Sequence, residues 1–260
     1  MRILRFVEHG QVRWGACEDD ATMIRTLAAD PMVSGIMYLS EEEVPLTGVK
    51  LCAPVEPRTI IGIGRNYAEH AREMGGDVPD EPVVFLVPPG AIIGPEEAIV
   101  LPQWSQEVHY EAELAVVIGK TASRVSVEDA HEAIFGYTCV NDVSARDAQR
   151  SDHQWARAKG FDTSTPIGPW IVTADSVDPA NLRIQAYVNG ECRQDGTTSD
   201  MLRSVDELVS YLSHGFTLHP GDVIMTGTPA GVGKLVDGDQ VEVRLEGIGT
   251  LSNPVQCEII

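Results

Sequence analysis

Residues 109–120 read HYEAELAVVIGK. Successive side chains of a strand point to opposite faces, so Glu111 and Glu113 share one face with Glu107 and His109. Val108, Tyr110, Ala112, Leu114, Val116 and Ile118 share the other. From Ala115 onward both faces are apolar, the pattern of a strand covered on both sides. The spacing therefore predicts a core strand with two carboxylates at its rim. Like charges on a half-buried surface are costly unless something positive stands between them. A hard divalent cation is the simplest neutraliser: Mg2+ or Mn2+ binds carboxylate oxygens, at about 2.0–2.1 Å for Mg2+. The plain alternative is two exposed glutamates at a strand end.

Working outward, most of the chain repeats the strand signature. TIIGIG (59–64), PVVFLVP (82–88), GYTCVNDVSA (136–145), GPWIVT (168–173), RIQAYVNGE (183–191), DVIMTGTP (222–229) and residues 239–259 are β-rich segments bounded by Gly, Pro and Asp. Helical patterns are fewer: residues 126–135, 142–159 and 204–215. The first and last of these open on SVED and SVDE, which resemble capping boxes. Strands outnumber helices without regular alternation. This predicts an α+β fold on a mixed β core rather than a doubly wound or barrel architecture. Residues 1–55 read as a small N-terminal α/β domain, with strands at ILRFV and VRWGAC and a helix over 20–31 ended by Pro31. Residues 50–59, punctuated by proline, read as a linker, and 57–260 as the main domain.

Composition excludes several classes. Asp and Glu number 39 against 19 Lys and Arg, a formal net charge of −20. Such a surface repels nucleic acid and anionic membranes, and an anionic substrate would need local positive charge at its site. The five cysteines form no CxxC pair, which argues against a disulfide framework or a zinc site. No apolar run approaches the ~20 residues of a membrane span. The N-terminus reads as a strand rather than a signal peptide, so the expectation is a soluble, cytoplasmic protein.

Further stretches carry chemistry. Asp142 follows an apolar run, placed either as a third carboxylate ligand or as a helix N-cap. His70 and Glu73, i and i+3 on a short helix, share a face; a carboxylate beside an imidazole orients it and raises its basicity. The alternative is a casual surface ion pair. Lys159 lies in a Gly/Thr/Pro-rich segment, unlike a solvated charge run. In MTGTPAGVG (225–233), amides around Gly227 and Gly231, with the Thr228 hydroxyl, are candidates to hold a substrate carboxylate. The same residues would also suit a plain tight turn.

NYAEHAREMG, PVVFLVPPGAIIGP, YEAELAVVIGK, GYTCVNDVSARDAQ, RAKGFDTSTPIGPWIVT and MTGTPAGVG occur in this order. Together, over about residues 57–260, they resemble the fumarylacetoacetate hydrolase superfamily. The resemblance implies a mixed β-sheet roll and a Mg2+, Mn2+ or Ca2+ ion held by Glu111, Glu113 and Asp142. It places a catalytic dyad on His70 and Glu73, with Lys159 as a further catalytic residue. It makes Arg146, Gln149, Thr228 and Gly227 substrate-binding. It also implies a homodimer, and a small anionic 2-oxo acid as substrate. The reaction it places first is C–C hydrolysis of an acylpyruvate-type 2,4-dioxo acid through a metal-stabilised enolate. Oxaloacetate-type decarboxylation and isomerisation of a 2-hydroxy-dienedioate in aromatic catabolism follow. A metal-stabilised fold that binds dicarboxylates without turnover is the alternative of another class. Val87, Gly90 and His109 depart from the family's usual lysine, serine and aspartate, at positions expected to shape the substrate pocket.

Overall fold

A computed structural model describes residues 1–34, 37 and 39–259. The chain begins with β1 (Arg2–Glu8), β2 (Gln11–Cys17), β3 (Met23–Leu27), a short α1 (Pro31–Ser34), β4 (Leu39–Pro45) and β5 (Lys50–Cys52). It continues through β6 (Ile60–Gly64), α2 (Ala68–Glu73), β7 (Val83–Val87), β8 (Ile92–Ile93), β9 (Ile99–Leu101), β10 (Val108–Tyr110) and β11 (Ala112–Ile118). Then come β12 (Ile134–Asn141), β13 (Ser144–Ala145), α3 (Arg146–Ser151), α4 (Ala156–Lys159), β14 (Thr165–Thr173), β15 (Arg183–Val188) and β16 (Glu191–Thr197). The remainder is α5 (Val205–Gly215), β17 (Val223–Met225), β18 (Gly233–Lys234), β19 (Gln240–Leu245) and β20 (Gly249–Cys257).

The main sheet runs β4-β3-β2-β1-β14-β12-β11-β17-β6-β7, with β5 paired to β1 and β8 to β14. A second sheet is β13-β10-β18 and a third β16-β15-β19-β20-β9. All seven residues of β11 are buried. Its alternation feeds two cores. Leu114, Val116 and Ile118 pack with Ile184, Val243 and Leu251 of the third sheet, while Ala115 and Val117 pack with Ile60, Ile167 and Met225 on the opposite face. The mixed α+β sandwich is thus organised around the strand whose sequence is apolar on both sides.

Four local expectations are corrected. The stretch 107–118 is not one strand: it breaks at Glu111, with β10 and β11 in different sheets. There the Glu111 amide donates to the Asn141 side chain at 2.9 Å rather than to a ladder carbonyl. The segment 20–31 is not a helix. Met23–Leu27 is strand β3, with Ile24, Thr26 and Leu27 buried and Met23 and Arg25 exposed, a period near two. Pro31 starts α1 instead of ending a helix, consistent with its fixed φ and missing N–H. Lys50–Cys52 is not linker but strand, hydrogen-bonded to β1.

Residues 126–135 and 142–159 also contain less helix than their patterns predict. The first holds a 3-10 turn over Ala130–Ala133 before β12 begins at Ile134. The second splits into β13, α3 and α4. Residues 204–215 behave as expected: Ser204 and Glu207 close a reciprocal capping box at the start of α5. The N-terminal strands extend the main sheet through β1 and β14, with Ile3 opposite Ile171. Among the described residues no helix is long and apolar enough to cross a membrane.

Candidate active site

The antiparallel pairing of β11 with β12 sets Ala112 opposite Asn141. The next residue of each chain segment, Glu111 and Asp142, therefore meets across the strand ends, and the Asp142 amide donates to the Glu111 carbonyl at 3.0 Å. Glu113, one residue into β11, lies on the same face as Glu111. Glu111, Glu113 and Asp142 each offer a carboxylate oxygen within 4.8 Å of the others, and all three are buried. Asp142 caps no helix: the residue before α3 is Ala145, which makes no side-chain cap.

Two buried cations face this cluster. Lys159, the last residue of α4, donates from Nζ to Glu111 Oε2 at 2.5 Å and to Asp142 Oδ2 at 2.6 Å. Arg146, at the start of α3, donates from Nη2 to Glu111 Oε1 at 2.5 Å and from Nη1 to Gln149 Oε1 at 2.8 Å. Three carboxylates against two cations leave a negative excess in a desolvated place. Burial alone would raise the Glu111 pKa, but Arg146, Lys159 and His70 hold it below its ordinary range. Burial, together with the other two carboxylates, pushes Glu113 well above its usual value. Asp142, raised mainly by burial against the pull of Lys159, reaches about 6. Burial works against the Lys159 ammonium, yet Asp142 and Glu111 raise its pKa.

An ion fits these residues. The donors are all oxygen, which suits Mg2+, Mn2+ or Ca2+. Asp142 Oδ1 is buried without a hydrogen-bond partner, an orphan acceptor that a cation would satisfy. A divalent ion would turn the local charge from net negative to net positive, the sign an anionic substrate requires.

The dyad stands beside the cluster. His70 Nδ1 lies 3.2 Å from Glu73 Oε2 on α2. Its Nε2 is 3.7 Å from Glu111 Oε1. Glu73 in turn accepts from the Gly231 amide, at 3.0 and 3.2 Å to its two oxygens. His70, Glu111, Glu113, Asp142, Arg146, Gln149, Lys159 and Thr228 line one cavity of about 230 Å³.

The glycine-rich loop differs from its expected use. The Gly227 amide donates to Glu113 Oε2 at 2.7 Å, and the Gly231 amide is taken by Glu73. Thr228 donates its single hydroxyl proton to the Ala112 carbonyl at 2.8 Å. The loop donors expected on a substrate carboxylate are thus committed to the protein's own acceptors. The departures at Val87, Gly90 and His109 are absent from the lining of this cavity among the described residues.

Sequence reasoning missed Arg65 and Trp155, which also line the cavity. Arg65 follows β6 with a φ of 58°, a left-handed conformation uncommon outside glycine. Among the described residues its guanidinium has no carboxylate partner. The available signal was its place between a buried strand and the His70 helix.

Comparison with known proteins supplies the family. The fumarylacetoacetate (FAA) hydrolase C-terminal family matches residues 59–256. The chain belongs to this family. An Rv2993c-like N-terminal family matches residues 1–54. A solved structure of 5-carboxymethyl-2-hydroxymuconate delta-isomerase from Mycobacterium smegmatis is 45% identical, with a TM-score of 0.92 over 99% of this chain and 100% of that one. The oxaloacetate tautomerase YisK of Bacillus subtilis is 44% identical over 223 residues, 81% of this chain and 74% of its own. Maleylpyruvate hydrolase from Sphingobium sp. SYK-6, solved with manganese(II) and pyruvate, is 33% identical with a TM-score of 0.82 over 100% of both chains. The family's members thus include isomerases, tautomerases and hydrolases of oxo acids.

Proposed function

We propose that the protein is a divalent-metal-dependent enzyme that moves a proton at the carbon next to the 2-oxo group of a short 2-oxo acid. Keto–enol tautomerisation of an oxaloacetate-like acid is its first expected reaction. The observation that carries this reading is His70. It is buried in the cavity, with one ring nitrogen held by Glu73 and the other facing the carboxylate cluster. Glu111, Glu113 and Asp142 would hold Mg2+ or Mn2+, which when bound polarises the 2-oxo oxygen as a Lewis acid.

The chain's own groups do the rest. Glu73, fixed by the Gly231 amide, keeps the His70 Nδ1 proton in place, so that Nε2 is the basic nitrogen. In the keto-to-enol direction His70 Nε2 takes a proton from carbon 3 while the 2-oxo oxygen gains one from water; in the reverse direction the enol hydroxyl gives its proton to water and the His70 Nε2 proton goes to carbon 3. Arg65, without a carboxylate partner among the described residues, attracts the substrate carboxylate. Lys159 and Arg146 keep Glu111 ionised. A cavity of about 230 Å³ lies below the usual ~300–1,000 Å³ of ligand sites and favours a small acid over a long diene.

C–C hydrolysis of a 2,4-dioxo acid, the reaction placed first on sequence alone, is the second reading. It is supported by the likeness to maleylpyruvate hydrolase, and it would use the same His70 to activate water. The reading carries a homodimer, which sedimentation showing monomer alone would contradict. The test is an ultraviolet assay on oxaloacetate, an acylpyruvate, fumarylpyruvate and a 2-hydroxy-dienedioate, each with Mg2+ or Mn2+ and again with EDTA. Metal-dependent loss of the oxaloacetate enol is expected. Binding of all four acids without turnover would favour the dicarboxylate-binding alternative.

A further inference from the structure

Gln194 is completely buried, although Cys192, Arg193 and Asp195 around it are exposed. Gln194 faces inward because it pairs with Ala186, a buried position of β15. Beside it the register shifts: Tyr187 pairs with Cys192, so Arg193 is an extra residue and β16 bulges there. Gln194 Oε1 accepts from the Ala112 amide at 2.9 Å. Its Nε2 donates to Thr228 Oγ1 at 2.8 Å and to the Pro229 carbonyl at 2.7 Å. A reversed amide would set donor against donor at Ala112, so the orientation is defined by the network.

These partners flank the site on both sides. Ala112 lies between Glu111 and Glu113. Thr228 and Pro229 follow Gly227, whose amide holds Glu113. The backbone of the bulge supports the other half. At Gly231, φ is 102°, and a Cβ there would stand 2.4 Å from the Arg193 carbonyl oxygen. That turn presents the Gly231 amide to Glu73.

We infer that the β16 bulge at Arg193–Gln194 is the brace that fixes the carboxylate cluster relative to the His70–Glu73 dyad, with Gln194 as a positioning residue. The inference rests on the functional reading above. Groups that orient metal ligands without touching the ion change affinity or activity by roughly 10- to 100-fold when removed.

The experiment compares Gln194→Met with Asn253→Leu. Asn253 is an equally buried amide that bonds the Gly94 and Glu97 carbonyls, away from the cavity. Melting temperature, Mn2+ affinity by titration, the Mn2+ electron-paramagnetic spectrum, and kcat and KM are measured for both. The expected result is a Mn2+ affinity reduced roughly tenfold or more, an altered spectrum and a lower kcat in Gln194→Met. Asn253→Leu should lose melting temperature with wild-type Mn2+ affinity. Should Gln194→Met not fold, Gln194→Glu has the same length and keeps the arm to Ala112. It loses the donor to Thr228 and Pro229, and the same loss of affinity is expected. Wild-type affinity and spectrum in a folded Gln194 variant would overturn the inference. So would equal losses in both variants that merely follow melting temperature. A wild-type protein that binds no Mn2+ would remove the functional reading, and this inference with it.

Discussion

At the scale of single residues, the three carboxylates have different tasks because their neighbours differ. Glu111 has two cations against it, Asp142 shares only Lys159, and burial raises the pKa of Asp142 and of Glu113 while Glu111 is held low. The sign of the pH dependence follows. Asp142, at about 6 in the folded chain against an ordinary 3.8, keeps a proton that the unfolded chain has already released. Stability of the metal-free protein therefore falls as pH rises from about 4 through 6. Metal must displace the Asp142 proton, so Mn2+ affinity rises over the same range. Thermal melts without metal from pH 4 to pH 7 should show the fall, and Asp142→Asn should flatten it. Lys159→Met removes the ammonium between two buried carboxylates. It should destabilise the metal-free protein by about 3–5 kcal/mol at neutral pH, with most of the loss recovered in Mn2+. Glu113→Gln should lose both Mn2+ binding and turnover. His70→Ala should bind Mn2+ normally and lose about 100- to 10,000-fold in turnover.

At the scale of elements, the site is assembled from strand ends and short helices, while the one long helix stands apart. Ser204→Ala removes the capping hydroxyl of α5 and should cost about 1 kcal/mol in denaturant melts with no change in Mn2+ affinity. What sequence could show follows from the same division. The α5 cap and the two-faced β11 are local patterns and are legible. His70 and Glu73 share a helix turn, and their contact follows from spacing alone. Asp142 becomes a neighbour of Glu111 only through the β11–β12 register, which no local pattern states. The resemblance supplied that grouping. Met23–Leu27 was misread because its apolar residues also fit a helical stripe; pairing with β2 and β4 decided for strand. Gln194 gave no signal, because an amide in a polar hairpin strand meets Ala112, Thr228 and Pro229 only through the pairing of the sheets.

At the scale of the whole molecule, an acidic chain must draw an anion to a group of buried and cavity-facing cations. Its formal charge of −20 opposes that approach, while Arg65, Arg146, Arg150 and Lys159 place positive charge around the cavity, and a bound divalent ion would complete the local reversal. The sandwich holds this group at the edge of its central strand, where the backbone leaves the core. The most direct test of the account is exchange of the carbon-3 protons of pyruvate for deuterium in heavy water, followed by proton NMR with Mg2+. The wild-type protein should accelerate exchange, EDTA should abolish the acceleration, and His70→Ala should show none despite bound metal. Exchange that proceeds equally with His70→Ala, or no acceleration by a wild-type protein shown to bind both metal and pyruvate, would contradict the account.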